Sequence, residues 1–193
     1  EARLLHQLGN RLLAGRPTQF SVQGFGLLEG LSTLPHPARV LGVFRRTDLP
    51  LGPLPVTGLA LWHVADPGNV GTLIRTADAL GPAFVALSSG CGDPTGPKAL
   101  RASAGAVFRV PQAEFDSAPE PRVGLVAHGG RPLPDAGLPE RVTFVLGAER
   151  EGLPEEVVEA CDELATIPLA PGAESLNVAA AGAVALYEWR RRR

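Results

Sequence analysis

From Leu59 to the C-terminus, short apolar runs of the β type alternate with helical patterns, and this alternation constrains the fold more than any other feature. The runs are "LALWHVA", "AFVALS", "AVFRV", "RVGLVAH", "VTFVLGAE" and "LATIPLA". Between them lie a helix starting near Val70, a short one around Lys98 to Ala104, one near Pro154 to Ala160, and a long final one from Leu176 to about Trp189. Strands alternating with helices predict an α/β layer fold built on a mostly parallel sheet. In such sheets ligands bind beyond the carboxyl ends of the strands. Three loops take that place here: "DPGN", "GAEREG" and "LAPGAES".

The residues before this region read as a separate small unit, residues 1–54. It opens with a helical stripe (Leu4, Leu5, Leu8, Leu12), and "GFGLLEG" sets its glycines at Gly24, Gly26 and Gly30. The last is one residue late for a dinucleotide fingerprint, so the glycines read as a strand-to-helix turn. The proline-rich "DLPLGPLPVTG" then reads as a linker. A chain of 193 residues accommodates one domain with such an appendage.

Net charge is −2, which does not announce a nucleic-acid partner, although residues 1–60 carry six Arg against three acids. Lys98 is the only lysine, so positive charge is almost all Arg, the side chain suited to bidentate phosphate contacts. The terminal "RRRR" has two readings, contact with RNA or complement to a helix C-terminus. Cys91 and Cys161 have no CxxC partner, and the four histidines (His6, His36, His63, His128) are dispersed, so neither a metal site nor a disulfide framework is expected. No run nears the roughly 20 apolar residues of a membrane span, and the opening stretch lacks the apolar core of a secretory signal. The expected setting is cytoplasmic.

Each loop has a structural and a functional reading. In the first, Asn69 stands where a helix N-cap belongs, followed by a core stripe of Val70, Leu73, Ile74 and Ala77. Arg75 falls about 140° from Val70 on the wheel and faces away from the core, as a solvated residue or as a grip for phosphate. In the second, an apolar strand runs into Gly147, which permits close approach of a ligand, and then Glu149, which helix-start chemistry does not explain. In the third, Ser175 is a candidate N-cap, Asn177 follows, and the small residues Ala179 to Ala183 imply close packing by another helix, a partner subunit or the loop.

Together, "NVGTLIR", "FVLGAEREGL" and "IPLAPGAESLNVAAA" resemble the three ordered motifs of the SpoU/TrmH family, RNA ribose 2′-O-methyltransferases of the SPOUT superfamily. "PKALRASAGAVFRVP" resembles the family's middle stretch, and the likeness runs from about His63 to Tyr187. It implies an α/β-knot: a parallel sheet with helices on both faces and a C-terminal trefoil knot, over residues 55–193, with a small α+β appendage resembling the start of an RNA-binding extension. It further implies S-adenosylmethionine as methyl donor, tRNA or rRNA as substrate, and a homodimer with the active site at the subunit junction. By motif, Asn69, Arg75, Glu149, Ser175 and Asn177 are the catalytic set. Leu146, Gly147, Ala148, Ile167, Leu169 and Leu176 would hold the cofactor, and no metal is implied. Ala173 and Ala179 stand where relatives often have Ser.

Two rival classes are a catalytically silent RNA-binding or ribosome-assembly protein on the same fold, and a nicotinamide-dependent dehydrogenase. The set of five polar residues disfavours the first. The second requires a Gly-x-Gly-x-x-Gly after the first strand, and "DPGNVG" does not supply it.

Overall fold

The computed structural model describes residues 18–21, 40–43, 46–50 and 52–193. The expected first helix and the "GFG" turn lie outside the described residues. Chain contacts divide the molecule into Glu1–Leu49 and Pro50–Arg193, a boundary inside the proline-rich stretch. In the first unit, β1 (Thr18–Ser21) and β2 (Val40–Val43) pair antiparallel, Thr18 opposite Val43.

The second unit is built on seven strands: β3 (Thr57–Leu61), β4 (Ala83–Leu87), β5 (Gln112–Glu114), β6 (Arg122–Leu125), β7 (Arg131–Pro132), β8 (Val142–Leu146) and β9 (Glu163–Thr166). Their order is β5-β4-β3-β8-β6-β9-β7, and every pairing is parallel. The chain steps outward from β3 to β5 on one side, then crosses to β6 and fills in β8 beside β3. The β3/β8 boundary is therefore a topological switch point, where a crevice opens above the strand ends. All five residues of β3 and of β8 are buried, as expected of strands covered on both faces.

Four helices cover the sheet: α1 (Pro67–Leu80), α2 (Pro97–Ser103), α3 (Glu155–Glu159) and α4 (Val178–Arg191). The two faces are covered unequally. On one, α4 packs on α1 and the strands so closely that a Cβ on Gly182 would meet Leu73, Leu146 and Leu59. The small residues of α4 thus admit α1 of the same chain. On the other face, Ala60, Phe84, Ala86 and Val145 pack against Phe115, Ala118 and Val157, supplied by a 3-10 turn and the short α3. The predicted stripe of α1 is fully buried. "AVFRV" is not a strand: Ala106–Phe108 form a 3-10 turn, and β5 starts at Gln112.

The terminal arginines bond to the protein itself. Arg190 donates to the carbonyls of Leu80 and Gly81, which α1 leaves unpaired at its end. Arg191 and Arg192 both hold the buried Glu188, at 2.7 and 2.8 Å. Arg192 also donates to the carbonyls of Leu133, Pro134 and Ala136, and Arg193 lies 4.1 Å from the Trp189 ring. Of the two readings of "RRRR", the structure shows the one that finishes a helix. No described helix is long and apolar enough to cross a membrane.

Candidate active site

At the first loop the N-cap is Asp66, not Asn69. Asp66 Oδ1 accepts from Gly68 N at 2.6 Å, and Pro67 occupies the first helical position, where its missing N–H costs nothing. Lys98 Nζ lies 2.7 Å from the same oxygen, and this contact, with the Gly68 amide, holds the Asp66 carboxyl below its ordinary range. Asn69, relieved of capping, instead reaches across to the other two loops. Its Nδ2 donates to Glu149 Oε1 at 2.8 Å, and its Oδ1 accepts from Asn177 Nδ2 at 3.2 Å.

Asn177 caps α4, its Oδ1 accepting from Ala179 N at 2.9 Å and Ala180 N at 3.3 Å. Ser175, the expected candidate for that cap, is exposed two residues earlier. One hydrogen-bonded chain therefore runs from the α4 N-terminus through Asn177 and Asn69 to Glu149, and joins all three loops. Glu149 is turned to Asn69, and no bond connects it to Arg75. Arg75 is exposed on α1 as its wheel position predicts, and it makes no hydrogen bond or ion pair with a described residue.

Beside this chain lies a cavity of about 520 Å³, within the range of small-molecule sites. Leu146, Gly147, Ala148, Ile167, Leu169 and Leu176, the six residues expected to hold a cofactor, all line it, together with Glu149 and Ser175. Asn69, Arg75 and Asn177 stand outside the lining. Gly147 is glycine for a different reason than expected: a Cβ there would lie 2.1 Å from Gly152 C. What approaches it is its own loop, which closes through Gly152 N donating to Ala148 O and turns at Gly152 with φ +69°.

A fourth wall, Leu125 to His128, lies outside the three loops singled out in the sequence. These residues follow β6 directly, so the strand-end rule would have found them. The cavity mixes aliphatic walls with a lip carrying Glu149, Glu151 and Glu174 against Arg150 and His128. Apolar walls suit a nucleoside, and an acidic lip suits a ligand bearing positive charge, so the residues present fit S-adenosylmethionine.

The family model of the SpoU rRNA methylases matches residues 57–187. An uncharacterized tRNA/rRNA methyltransferase of Synechocystis is 35 % identical over 95 % of this chain and 71 % of its own length. The 23S rRNA (guanosine(2553)-2′-O)-methyltransferase RlmP of Bacillus subtilis is 35 % identical over 66 % of this chain, which spans just over half (55 %) of that relative. Among solved structures, an AdoMet-bound rRNA methyltransferase from Sinorhizobium meliloti aligns with a TM-score of 0.75 and 30 % identity, covering 86 % of this chain and 69 % of that one. The polar relay stands above the switch point of the parallel sheet, beside the cavity. The chain belongs to the SpoU rRNA methylase family, RNA 2′-O-methyltransferases that use S-adenosylmethionine.

Proposed function

We propose that this chain methylates a ribose 2′-hydroxyl of tRNA or rRNA, with the donor in the Leu146–Val178 cavity and the RNA on the α1 side. The observation that carries the reading is the Asn177–Asn69–Glu149 relay, which fixes the helix bearing Arg75 to the rim of the cavity. S-adenosylmethionine supplies an electrophilic methyl on a positively charged sulfur. The protein's task is then mostly proximity and orientation, plus removal of one proton. Arg75, without a partner among the described residues, pairs with the phosphate beside the target ribose, positions the hydroxyl and stabilises charge developing on its oxygen. A guanidinium stays charged at working pH, so the proton leaves to water or to a phosphate oxygen. Glu149 orients Asn69, and Asn177 ties both to α4. Ser175 lies within the cavity wall to meet the ligand.

A homodimer with the site at the junction fits the exposed apolar residues Leu176, Val184 and Tyr187, which continue along α4 from the third loop. Residues 1–54 would then be an RNA-binding unit of their own, in a cytoplasmic enzyme whose C-terminal segment is knotted. The test is transfer of labelled methyl to total RNA from a strain lacking the protein, followed by mapping. Label on a ribose of tRNA or rRNA is expected. Cofactor binding without transfer to any RNA would instead support the silent RNA-binding reading.

A further inference from the structure

His63 is placed in a way that its local sequence does not require. It has φ +52°, in the left-handed region that glycine occupies freely and other residues occupy at a cost. The consequence is geometric. Successive side chains of an extended strand point to opposite faces, yet the reversal at His63 lays its ring on that of Trp62, with centroids 4.7 Å apart and planes at 5°. Three supports hold it there. Trp62 is itself fixed, its ring edge-on to Phe115 at 5.1 Å and its backbone N–H donating to Leu146 O at the start of the cavity loop. His63 N donates to Ser88 Oγ at 2.9 Å. Gly90 seats the ring, since a Cβ there would lie 2.6 Å from Cδ2. For all this, His63 is exposed, at the carboxyl end of β3 and three residues before the Asp66 cap.

A strained, pre-stacked and exposed aromatic ring at the ligand end of a sheet is a platform. Resting on the reading above that RNA is the substrate, we infer that the exposed His63 ring stacks an unpaired base of the RNA, choosing single-stranded over paired substrate. Unstacked bases are held on aromatic rings, histidine included, and such stacking tolerates different bases.

The test uses the full chain with His63→Asn, which suits a left-handed backbone and keeps polarity without a stacking face, and with His63→Phe, which keeps the face alone. Filter binding of labelled total RNA from a strain lacking the protein reads affinity, and initial rates read KM for RNA and for S-adenosylmethionine. We expect His63→Asn to weaken RNA binding on the order of tenfold, with the cofactor KM and the thermal midpoint unmoved, and His63→Phe to recover most of the loss. Wild-type RNA affinity in His63→Asn overturns the inference. So does a His63→Phe that folds but binds as weakly as His63→Asn. Because binding is read apart from turnover, a wild-type chain that transfers no methyl refutes the proposed function and leaves this test intact.

Discussion

Asn69 and Asn177 each use both ends of a carboxamide, and that double use is what a substitution can separate. Asn177 Oδ1 caps α4 while its Nδ2 feeds Asn69. Asn177→Asp keeps a capping oxygen and deletes the donor. It should leave the thermal midpoint near wild type but slow methyl transfer about fivefold, as loss of one hydrogen bond of roughly 1 kcal/mol from the site would. Asn177→Ala should show the same rate loss and also lose about 1 kcal/mol of stability with its cap. Wild-type transfer rates in both variants would mean the relay has no part in catalysis. The residue types in this relay were legible, because polar groups in turns after apolar runs stand out. Their pairing was not: Asp66 and Asn69 are both good caps, and only Pro67 at the first helical position decides between them. Nothing local to Glu149 points to a partner eighty positions earlier.

At the scale of elements, two glycines of different purpose give opposite expectations. A Cβ on Gly71 would lie 2.4 Å from the Ala99 carbonyl oxygen, where α1 and α2 touch through backbone that cannot step aside. Gly71→Ala should cost roughly 2 kcal/mol and lower the midpoint by about 4–8 °C, with cofactor affinity retained, as calorimetry at low temperature would show. Gly147→Ala strikes the cavity loop against Gly152 and should lower cofactor affinity by about an order of magnitude or more. The buried strands and the α1 stripe were readable because burial on both faces leaves continuous apolar runs and a helix face leaves a 3.6 period. The edges were not: β7 is two exposed residues, "RP", whose pairing with β9 no pattern encodes. "AVFRV" has strand composition, but Gly105 at φ +82° turns it into a 3-10 helix. The Leu125–His128 wall went unseen because it holds none of the motif residues.

For the whole molecule, the terminal arginines convert the chain's end into a clamp whose strength depends on pH. Arg191, then Arg192, hold the Glu188 carboxyl below its ordinary value of 4.5, and Arg109 does the same for Asp78. Groups depressed in the folded state stabilise it fully above the ordinary carboxylate range, and that contribution is lost as pH falls through the folded value. Glu188→Gln should therefore lower the urea midpoint at about pH 7 and lose less than wild type on acidification to about pH 3. An unchanged acid profile would refute the clamp. The α/β class with a parallel sheet was legible from alternation alone, whereas a knot and a dimer are proposals that rest on resemblance. The central claim is that α1 presents Arg75 to RNA beside a separate donor cavity, and the single-turnover rate of Arg75→Ala at saturating RNA and cofactor tests it most directly. A fall of about a hundredfold or more is expected. A rate equal to wild type would contradict it.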